Sequence, residues 1–249
     1  MIKEFFTDEG LSVPAVSKNQ MIEIDRIAVE DTGPNLFQMM ENAGRNLAEL
    51  IIEVLGESWR ELNIIVLSGT GGNGGGGICA ARHLANKDGN VSVCITDIEK
   101  LSGVPAYQLH ILNSTNAKII SIRDLEFQKP DLIVDAIIGY SLSGEPNGKA
   151  LEMINWANQQ FGIKISLDVP SGVDATTGHI PVHYFKPDLT LTLALPKTGL
   201  HPDFTGELFL SDIGIAESVY KKVGLNYPSS LFNKNYILPL YAHQDVPFC

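Results

Sequence analysis

Cysteine and clustered positive charge are both scarce in this 249-residue sequence. Its three cysteines, Cys79, Cys94 and Cys249, are widely spaced and form no C-x-x-C pattern. We therefore expect neither a disulfide framework nor a structural zinc site, and a reducing, cytoplasmic compartment fits better. The net charge of −11 argues against nucleic-acid binding, because a phosphate backbone needs clustered Lys and Arg on the protein.

Long apolar runs and targeting signals are also lacking. No stretch approaches the roughly 20 apolar residues that a membrane-spanning helix needs, so we expect no membrane segment. Residues 1–16 contain no basic region followed by an apolar core, and we interpret them as a loose leader without a signal peptide. No G-x-S-x-G elbow of a serine hydrolase is present. What remains is a globular protein of ordinary composition, 44% apolar and 19% charged.

A stretch rich in glycine organises the chain. Residues 64–67 form an apolar, β-branched run typical of a buried strand, and Ile78, Ala81 and Leu84 recur at helical spacing. Between them, six of the seven residues over 71–77 are glycine. The order predicts a strand, a glycine-rich turn and a helix, in which backbone N–H groups hold phosphate oxygens. A flexible linker is the simpler alternative.

The same stretch contains a G-x-G-x-x-G pattern at Gly69, Gly71 and Gly74. Asp97 ends the next strand-like run, at the position where a Rossmann fold holds a ribose. Alone, this pattern is a weak indication of a dehydrogenase.

Strand-like and helix-like segments alternate from residue 63 onward. This alternation predicts an α/β fold, a Rossmann-like three-layer αβα sandwich with a mostly parallel central sheet. Two extra N-terminal helices are predicted, one after the capping box at Ser17–Gln20 and one from about Asn35. We expect one domain over residues 1–249, with a core at about 16–216 and an uncertain tail at 217–249. Further strands are predicted near 91–96, 118–122, 131–138, 164–167, 189–195 and 207–212, and helices near 104–116 and after 148.

Ligands of an open parallel sheet bind beyond the carboxyl ends of the strands. That rule brings together the loops at 69–77, 135–145, 168–174 and 196–200. Their candidate functional residues are Asn73, Asp135, Asp168, Ser171, Asp174 and Lys197.

The residue types leave several roles open. Asp135 either holds a hard cation through its oxygens or caps a neighbouring loop. Asp168 is an acid–base group or a structural turn residue. Lys197 neutralises phosphate or is an ordinary surface lysine, and Glu145 contacts a substrate or is a solvated loop charge.

Several segments, taken in order, resemble the NAD(P)HX epimerase family, also called the YjeF N-terminal domain. The likeness runs from about Val16 to Ile215 and includes Met40-Glu-Asn-Ala-Gly44 and Ala194-Leu-Pro-Lys197. Its most specific segment is Asp168-Val-Pro-Ser-Gly-Val-Asp174 followed by Thr177-Gly178.

The resemblance implies repair of damaged nicotinamide nucleotides. The family interconverts the R and S epimers of hydrated NADH and NADPH, which carry a hydroxyl on ring carbon 6. Loss of that hydroxyl gives an iminium, which water re-enters from the other face, and our hypothesis is that Asp168 handles the proton. The nucleotide is itself the substrate, so this interpretation displaces the dehydrogenase.

The resemblance also implies ligands and partners. Potassium would be held by Asn73, Asp135 and Ser171. A separate NAD(P)HX dehydratase is expected in the pathway, and homodimerisation through the N-terminal helices is expected from the family. The implied substrate-binding residues are Gly72, Asn73, Gly74, Gly75, Gly76, Gly139, Tyr140, Ser141, Leu142, Ser143, Gly144, Glu145 and Asp168.

The chain departs from the family pattern at two positions. The family segment reads G-x-G-N-N-G-G-D-G, whereas this chain has Gly72 for the first Asn and Gly76 for the Asp. The substitutions remove an amide and a carboxylate and retain the backbone donors. They favour an alternative, a catalytically silent nucleotide-binding or protein-binding scaffold of the same fold. The intact Asn73, Asp135, Asp168 and Ser171 favour catalysis.

Overall fold

A hairpin and two long helices precede the central sheet in the computed structural model, which describes residues 1–242. Strand β1 (Glu4–Phe6) pairs antiparallel with β2 (Ser12–Pro14), and Phe5 and Val13 are fully buried. The interpretation of residues 1–16 as a loose leader is therefore wrong. Both predicted N-terminal helices are present, as α1 (Lys18–Ile27) and α2 (Leu36–Leu55).

Capping boxes explain where these two helices begin. The side chains of Ser17 and Asn35 each accept a hydrogen bond from the backbone N–H three residues on. The side-chain oxygens of Gln20 and Gln38, at those third positions, accept a hydrogen bond from the cap residue's own N–H. Each box satisfies two donors that a helix start otherwise leaves free.

Within residues 1–242, eight strands form the central sheet, in the order β10-β9-β8-β7-β6-β3-β4-β5. All neighbours are parallel except β10, which runs antiparallel to β9. The predicted α/β class and mostly parallel sheet are confirmed, although β5, β6 and β8 each end two residues before the predicted boundary. The strands are β3 (Ile64–Ser68), β4 (Val91–Ile95), β5 (Lys118–Ile120), β6 (Leu132–Ala136), β7 (Ile163–Leu167), β8 (Leu189–Leu193), β9 (Glu207–Ser211) and β10 (Ile237–Leu240).

The strand order reverses between β3 and β6. From β3 the chain moves outward through β4 to β5, and it then returns to β6 and moves the other way. Connections diverge above such a point and leave a crevice at the carboxyl ends of the strands. Helices cover both faces of the sheet, so every residue of β3, β4 and β6 is buried. The remaining helices are α3 (Gly72–Ala85), α4 (Gly103–Leu112), α5 (Gly148–Asn158), α6 (Pro202–Thr205) and α7 (Glu217–Lys222).

The glycine-rich stretch is the first part of a helix. The prediction of a turn over 71–77 is wrong, because α3 begins at Gly72 and Gly74 to Gly77 are buried in its first turns. A Cβ on Gly77 would overlap Ala136 of β6, and one on Gly75 would overlap the Met40 side chain of α2. These glycines therefore let α3 pack directly on the sheet and on α2.

Helices α2 and α3 are also joined by a charged network. The Arg82 Nη2 atom donates to the two Glu41 carboxylate oxygens at 2.6 and 2.7 Å, and His83 Nε2 lies 2.8 Å from the same carboxylate. Burial raises the pKa of Glu41, but the hydrogen bonds from Arg82 and His83 outweigh it and lower this pKa to about 2. Cys79 adjoins the cluster, and the guanidinium already supplies the cation at its centre.

The uncertain tail contributes to the fold as far as residue 242. Val219 and Tyr220 of α7 are buried, and β10 extends the sheet. Residues 243–249, with Cys249, lie outside the described residues. Among the helices of residues 1–242, none has both the length and the apolar character to cross a membrane.

The packing of α3 predicts opposite effects of two Gly→Ala substitutions. Gly77→Ala should lower the free energy of unfolding by about 1–3 kcal/mol, because the methyl group overpacks the contact with β6. Gly72→Ala, at a position with open space around its Cβ, should be neutral or stabilising by roughly 0.5 kcal/mol. Urea unfolding measures both, and equal destabilisation of the two variants would contradict this account of the glycines.

Candidate functional site

A cavity of about 980 Å³ lies at the carboxyl ends of the central strands. Its walls come from the segments that follow β3, β4, β6, β7 and β8, together with residues of α1 and α2. This is where the strand order reverses, as the sheet topology requires. The volume is at the upper end of the range for small-molecule sites, so the cavity has room for a ligand larger than one ring system.

A buried ion pair forms one wall of the cavity. Asp168 is 3% exposed and Lys197 fully buried, and the Lys197 ammonium donates to Asp168 Oδ1. The ammonium also donates to the Leu193 carbonyl at 2.9 Å and to Thr192 Oγ1 at 3.4 Å. All three N–H bonds are thus directed at protein acceptors. Lys197 is therefore not an ordinary surface lysine, and its role in neutralising phosphate stays a prediction.

Asp168 occupies an unusual backbone conformation. It follows the last residue of β7 with φ at 71°, in the left-handed region that non-glycine residues seldom adopt. Ala194, which follows β8, has φ at 62°. Two adjacent strand ends thus bend sharply on either side of the ion pair. Such local strain concentrates at functional sites, which favours the acid–base role of Asp168 over the turn role.

The loop after β6 closes over Asp168. The Tyr140 N–H donates to Asp168 Oδ2 at 2.9 Å. A Cβ on Gly139 would lie 3.0 Å from Asp168 Oδ2 and 3.2 Å from the Asn73 Cγ atom. Glycine at 139 therefore permits Asp168 and Asn73 to approach the same loop.

Asp135 lies fully buried beneath this loop. Its carboxylate accepts from Ser171 Oγ at 2.6 Å, Ser171 N at 2.8 Å, Ser166 Oγ at 2.9 Å and Ile137 N at 3.1 Å. Burial raises the pKa of Asp135 to about 6, and the hydrogen bonds from Ser171 oppose that rise. The carboxylate ties the loops after β6 and β7 together, so Asp135 acts at least as a loop anchor.

Asn73, in the first turn of α3, carries an unsatisfied buried amide. Within residues 1–242, neither its Oδ1 nor its Nδ2 atom has a hydrogen-bond partner. Such a group costs roughly 1–3 kcal/mol when nothing pairs with it, so a water, an ion or a ligand atom beside Asn73 would be stabilising. The oxygens of Asn73, Asp135 and Ser171 are hard donors, and this chemistry fits a hard cation such as potassium.

The other predicted substrate residues divide into two groups. Gly72, Asn73, Gly76, Gly139, Tyr140, Ser141 and Asp168 line the cavity. Gly74 and Gly75 instead pack inside α3, against Gly69 and Met40. The stretch Leu142, Ser143, Gly144 and Glu145 continues the loop away from the lining, and Glu145 is exposed. Lys18 Nζ holds this loop through the carbonyls of Ser141 and Leu142, at 3.1 and 2.8 Å.

Asp174 has a structural role. Its Oδ1 atom accepts from the Thr177 N–H at 2.7 Å and from the Thr176 N–H at 3.0 Å. The Thr177 hydrogen bond is the main reason that the pKa of Asp174 lies below its usual value. Asp174 therefore stabilises the turn after the Asp168 loop.

The opposite end of the cavity is polar and partly basic. Asp97 lies at the end of β4, as expected for a ribose ligand, and its Oδ2 atom is 3.0 Å from Lys100 Nζ. Lys149 of α5 lines the same end. The sequence reasoning missed both lysines, and it also missed Asp25 of α1, which lines the cavity near Asp168. Asp25 follows Met21 by four residues, so both lie on one face of α1. This spacing was the only local sign that Asp25 faces the cavity.

Known proteins resemble this chain along most of its length. The family described as "YjeF-related protein N-terminus" matches residues 36–199. A protein of Dehalogenimonas lykanthroporepellens named "NAD(P)H-hydrate epimerase" is 49% identical over 245 residues, covering 98% of this chain and 100% of that protein. One of the same name from Rhodopirellula baltica is 33% identical, covering 82% of this chain and 86% of that protein.

Two further similarities bear on the architecture. A "Bifunctional NAD(P)H-hydrate repair enzyme Nnr" of Hyperthermus butylicus is 34% identical over 77% of this chain, which spans 37% of that protein. The crystal structure of yeast ynu0 matches with a TM-score of 0.80 at 24% identity, covering 91% of this chain and all of that one. At this identity the yeast structure supports the fold alone.

The ion pair predicts a strongly non-additive response to substitution. Lys197→Met should lower the free energy of unfolding by about 3–5 kcal/mol, because it leaves the Asp168 carboxylate buried without its counter-ion. Adding Asp168→Asn should recover much of that loss, since Asn carries no charge and tolerates a positive φ. Urea unfolding of the single and double variants measures the coupling, and simply additive losses would contradict it.

Proposed function

This chain belongs to the family of YjeF-related protein N-termini, and we propose that it is an NAD(P)HX epimerase, which interconverts the R and S epimers of hydrated NADH and NADPH. The observation that carries the proposal is the buried Asp168–Lys197 pair in the wall of a large cavity at the strand-order reversal. The 49% identity over nearly the whole chain to a protein named for that activity supports it.

The proposed reaction exchanges one water at one carbon. The lone pair of ring nitrogen N1 expels the hydroxyl from C6, and a proton from the acid–base pair makes the leaving group water. The N1=C6 iminium then takes up water from its other face, and the proton returns to the pair. The proton comes from the Lys197 ammonium and passes through Asp168, whose carboxylate Lys197 holds in place. No electrons are exchanged with a redox cofactor, because the nucleotide is the substrate.

The cavity suggests how the rest of the nucleotide binds. Gly71 and Gly72 bring the start of α3 to the cavity without side chains, and the free N–H groups of a helix N-terminus favour a pyrophosphate. Open space surrounds the Gly72 Cβ position, so the missing family asparagine leaves room and does not distort the site. At Gly76 the nearest group to a Cβ is the end of the Leu167 side chain at 2.9 Å. The Gly72 N–H, which the first substitution retains at the start of α3, supports an active site.

The proposal predicts that Asp168→Ala abolishes most of the epimerisation. The expected loss is about 10²–10⁴-fold in kcat, the usual contribution of a positioned general acid–base group. Chiral separation of the R and S epimers, starting from purified R-NADPHX in potassium buffer, measures the rate. The control variant is Asp203→Asn, which changes a carboxylate exposed at the start of α6.

Two outcomes would contradict the proposal. A folded wild-type protein that accelerates nothing over the spontaneous rate would favour the silent scaffold. An unchanged rate in Asp168→Ala, with an active wild type, would remove Asp168 from the chemistry.

We further propose that Asn73, Asp135 and Ser171 hold a potassium ion. The unsatisfied Asn73 amide and the oxygen-only donor set support this choice. A bound ion would supply positive charge beside the loop that contacts Asp168, and it would fix Asn73 and the loops after β6 and β7.

Potassium should therefore stabilise the protein. We expect the melting temperature to be about 2–4 °C higher in potassium chloride than in choline chloride of equal ionic strength, through binding to the folded state. Asn73→Leu should abolish the difference. Differential scanning calorimetry measures it, and an equal potassium effect in both proteins would place the ion elsewhere or nowhere.

The remaining proposals concern surroundings and partners. Half-exposed apolar side chains on α2 and α4, Leu36 at 49%, Phe37 at 47% and Tyr107 at 51%, support a homodimer that involves the N-terminal helices. Light scattering of the purified protein tests it.

A separate dehydratase in the pathway is supported by the relatives named bifunctional repair enzymes. A cytoplasmic location is supported by the free, buried Cys79 and Cys94.

A further inference from the structure

Tyr140 is held at both of its ends. Its backbone N–H donates to Asp168 Oδ2 at 2.9 Å, and its phenol OH donates to Asp25 Oδ2 at 2.5 Å. The Lys197 ammonium lies 5.7 Å from the centre of its ring. Tyr140 thus joins the acid–base pair to helix α1, which lies 115 residues away along the chain.

The position of Asp25 is unfavourable for its own charge. Asp25 is half-buried in the wall of the cavity, in the middle of a helix that continues as a π-helical segment over Ala28–Thr32. Burial is the largest influence on the pKa of Asp25 and raises it above its usual value, against the Tyr140 hydrogen bond and the Lys197 charge. A carboxylate kept where burial opposes its charge suggests a role in the site.

The net charge at the end of the cavity that holds Asp168 and Lys197 indicates what Asp25 does. Asp168 and Lys197 form a neutral pair, so Asp25 leaves this end with one net negative charge. The substrate ring is neutral before the hydroxyl departs and cationic as the iminium. A carboxylate nearby favours the second state over the first, which is the differential stabilisation that raises a rate.

We propose that Asp25 is a positioning residue that acts through Tyr140. It fixes the aromatic ring against the Asp168–Lys197 pair and keeps the nicotinamide end of the cavity negative when the ring becomes a cation. This inference rests on the proposed epimerase function. Burial and the Asp25 charge raise the pKa of Tyr140, so its phenol stays protonated and remains a donor.

The role has a pH signature. The titratable groups that face Asp25 are Tyr140, Lys197, Asp168 and, from α7, Tyr220. On α1 itself, the adjacent Arg26 is engaged by the exposed Glu23 and Glu30. Because the pKa of Asp25 is raised, this carboxylate loses its charge at a higher pH than an ordinary aspartate does, and kcat should fall as the pH is lowered through that pKa.

The first experiment compares two nucleotides that differ in ring charge. NAD⁺ carries a cationic nicotinamide ring, whereas the ring of NADH is neutral. We expect Asp25→Asn to weaken NAD⁺ binding by about 10-fold and NADH binding by less than about 2-fold, as loss of one nearby charge requires. Isothermal titration calorimetry measures both, and Glu23→Gln, an exposed carboxylate on the same helix, is the control. The inference would be overturned if Asp25→Asn weakened NAD⁺ and NADH binding equally or changed neither. It would also be overturned if the wild type bound neither nucleotide.

The second experiment uses turnover. Asp25→Asn and Tyr140→Phe should each lower kcat by about 10-fold with KM changed less than about 3-fold, and the double variant should lose no more than the worse single variant. Asp25→Asn should also lose the acidic fall in kcat. Additive losses, or a wild-type pH profile in Asp25→Asn, would overturn the inference while leaving the epimerase function intact. An inactive wild type would overturn the epimerase function, and the binding of NAD⁺ and NADH would still decide the charge role of Asp25.

Discussion

The buried ion pair between Asp168 and Lys197 is the constraint on which the site depends. Two charges removed from water are stable only when the geometry satisfies both. Here the pair is completed by acceptors in the last two residues of β8 and by the Tyr140 N–H. To meet, the two side chains require sharp bends after β7 and β8, with positive φ at Asp168 and Ala194. A hydrophobic pair would be easier to bury, so the retained charges point to chemistry.

The glycine-rich helix α3 forms the wall of the site that faces the Asp168 loop. A run of glycine in a helix lowers its intrinsic stability by roughly 1 kcal/mol per residue relative to alanine. In α3 the run lets the helix lie directly on β6 and α2, where larger side chains would overlap their neighbours. The close packing places Asn73 and the start of α3 beside the Asp168 loop. This close packing of α3 thus serves the position of a polar site.

Hydrophobic pattern and topology predicted the parallel sheet and the four loops that meet at its edge, because burial on both faces leaves continuous apolar strands. Local reasoning failed where distant packing overrode propensity, as in the glycine helix and in the hairpin that buries Phe5. It failed again at Lys197, which is buried. A lysine is buried only together with a partner, and local sequence spacing did not reveal that partner. The contact between Asp25 and Tyr140 joins segments that no local signal connects.

The two ends of the cavity differ in charge, and this difference orients the proposed substrate. Around Asp168 the carboxylates outnumber the one lysine, whereas Lys100 and Lys149 outnumber Asp97 at the far end. A dianionic pyrophosphate is repelled by the first arrangement and attracted by the second, and the start of α3 lies between them. Under the proposed function, a nucleotide enters with its phosphates toward the lysines. Its nicotinamide ring then lies against Asp168, which is where the proposed exchange of water at carbon 6 takes place.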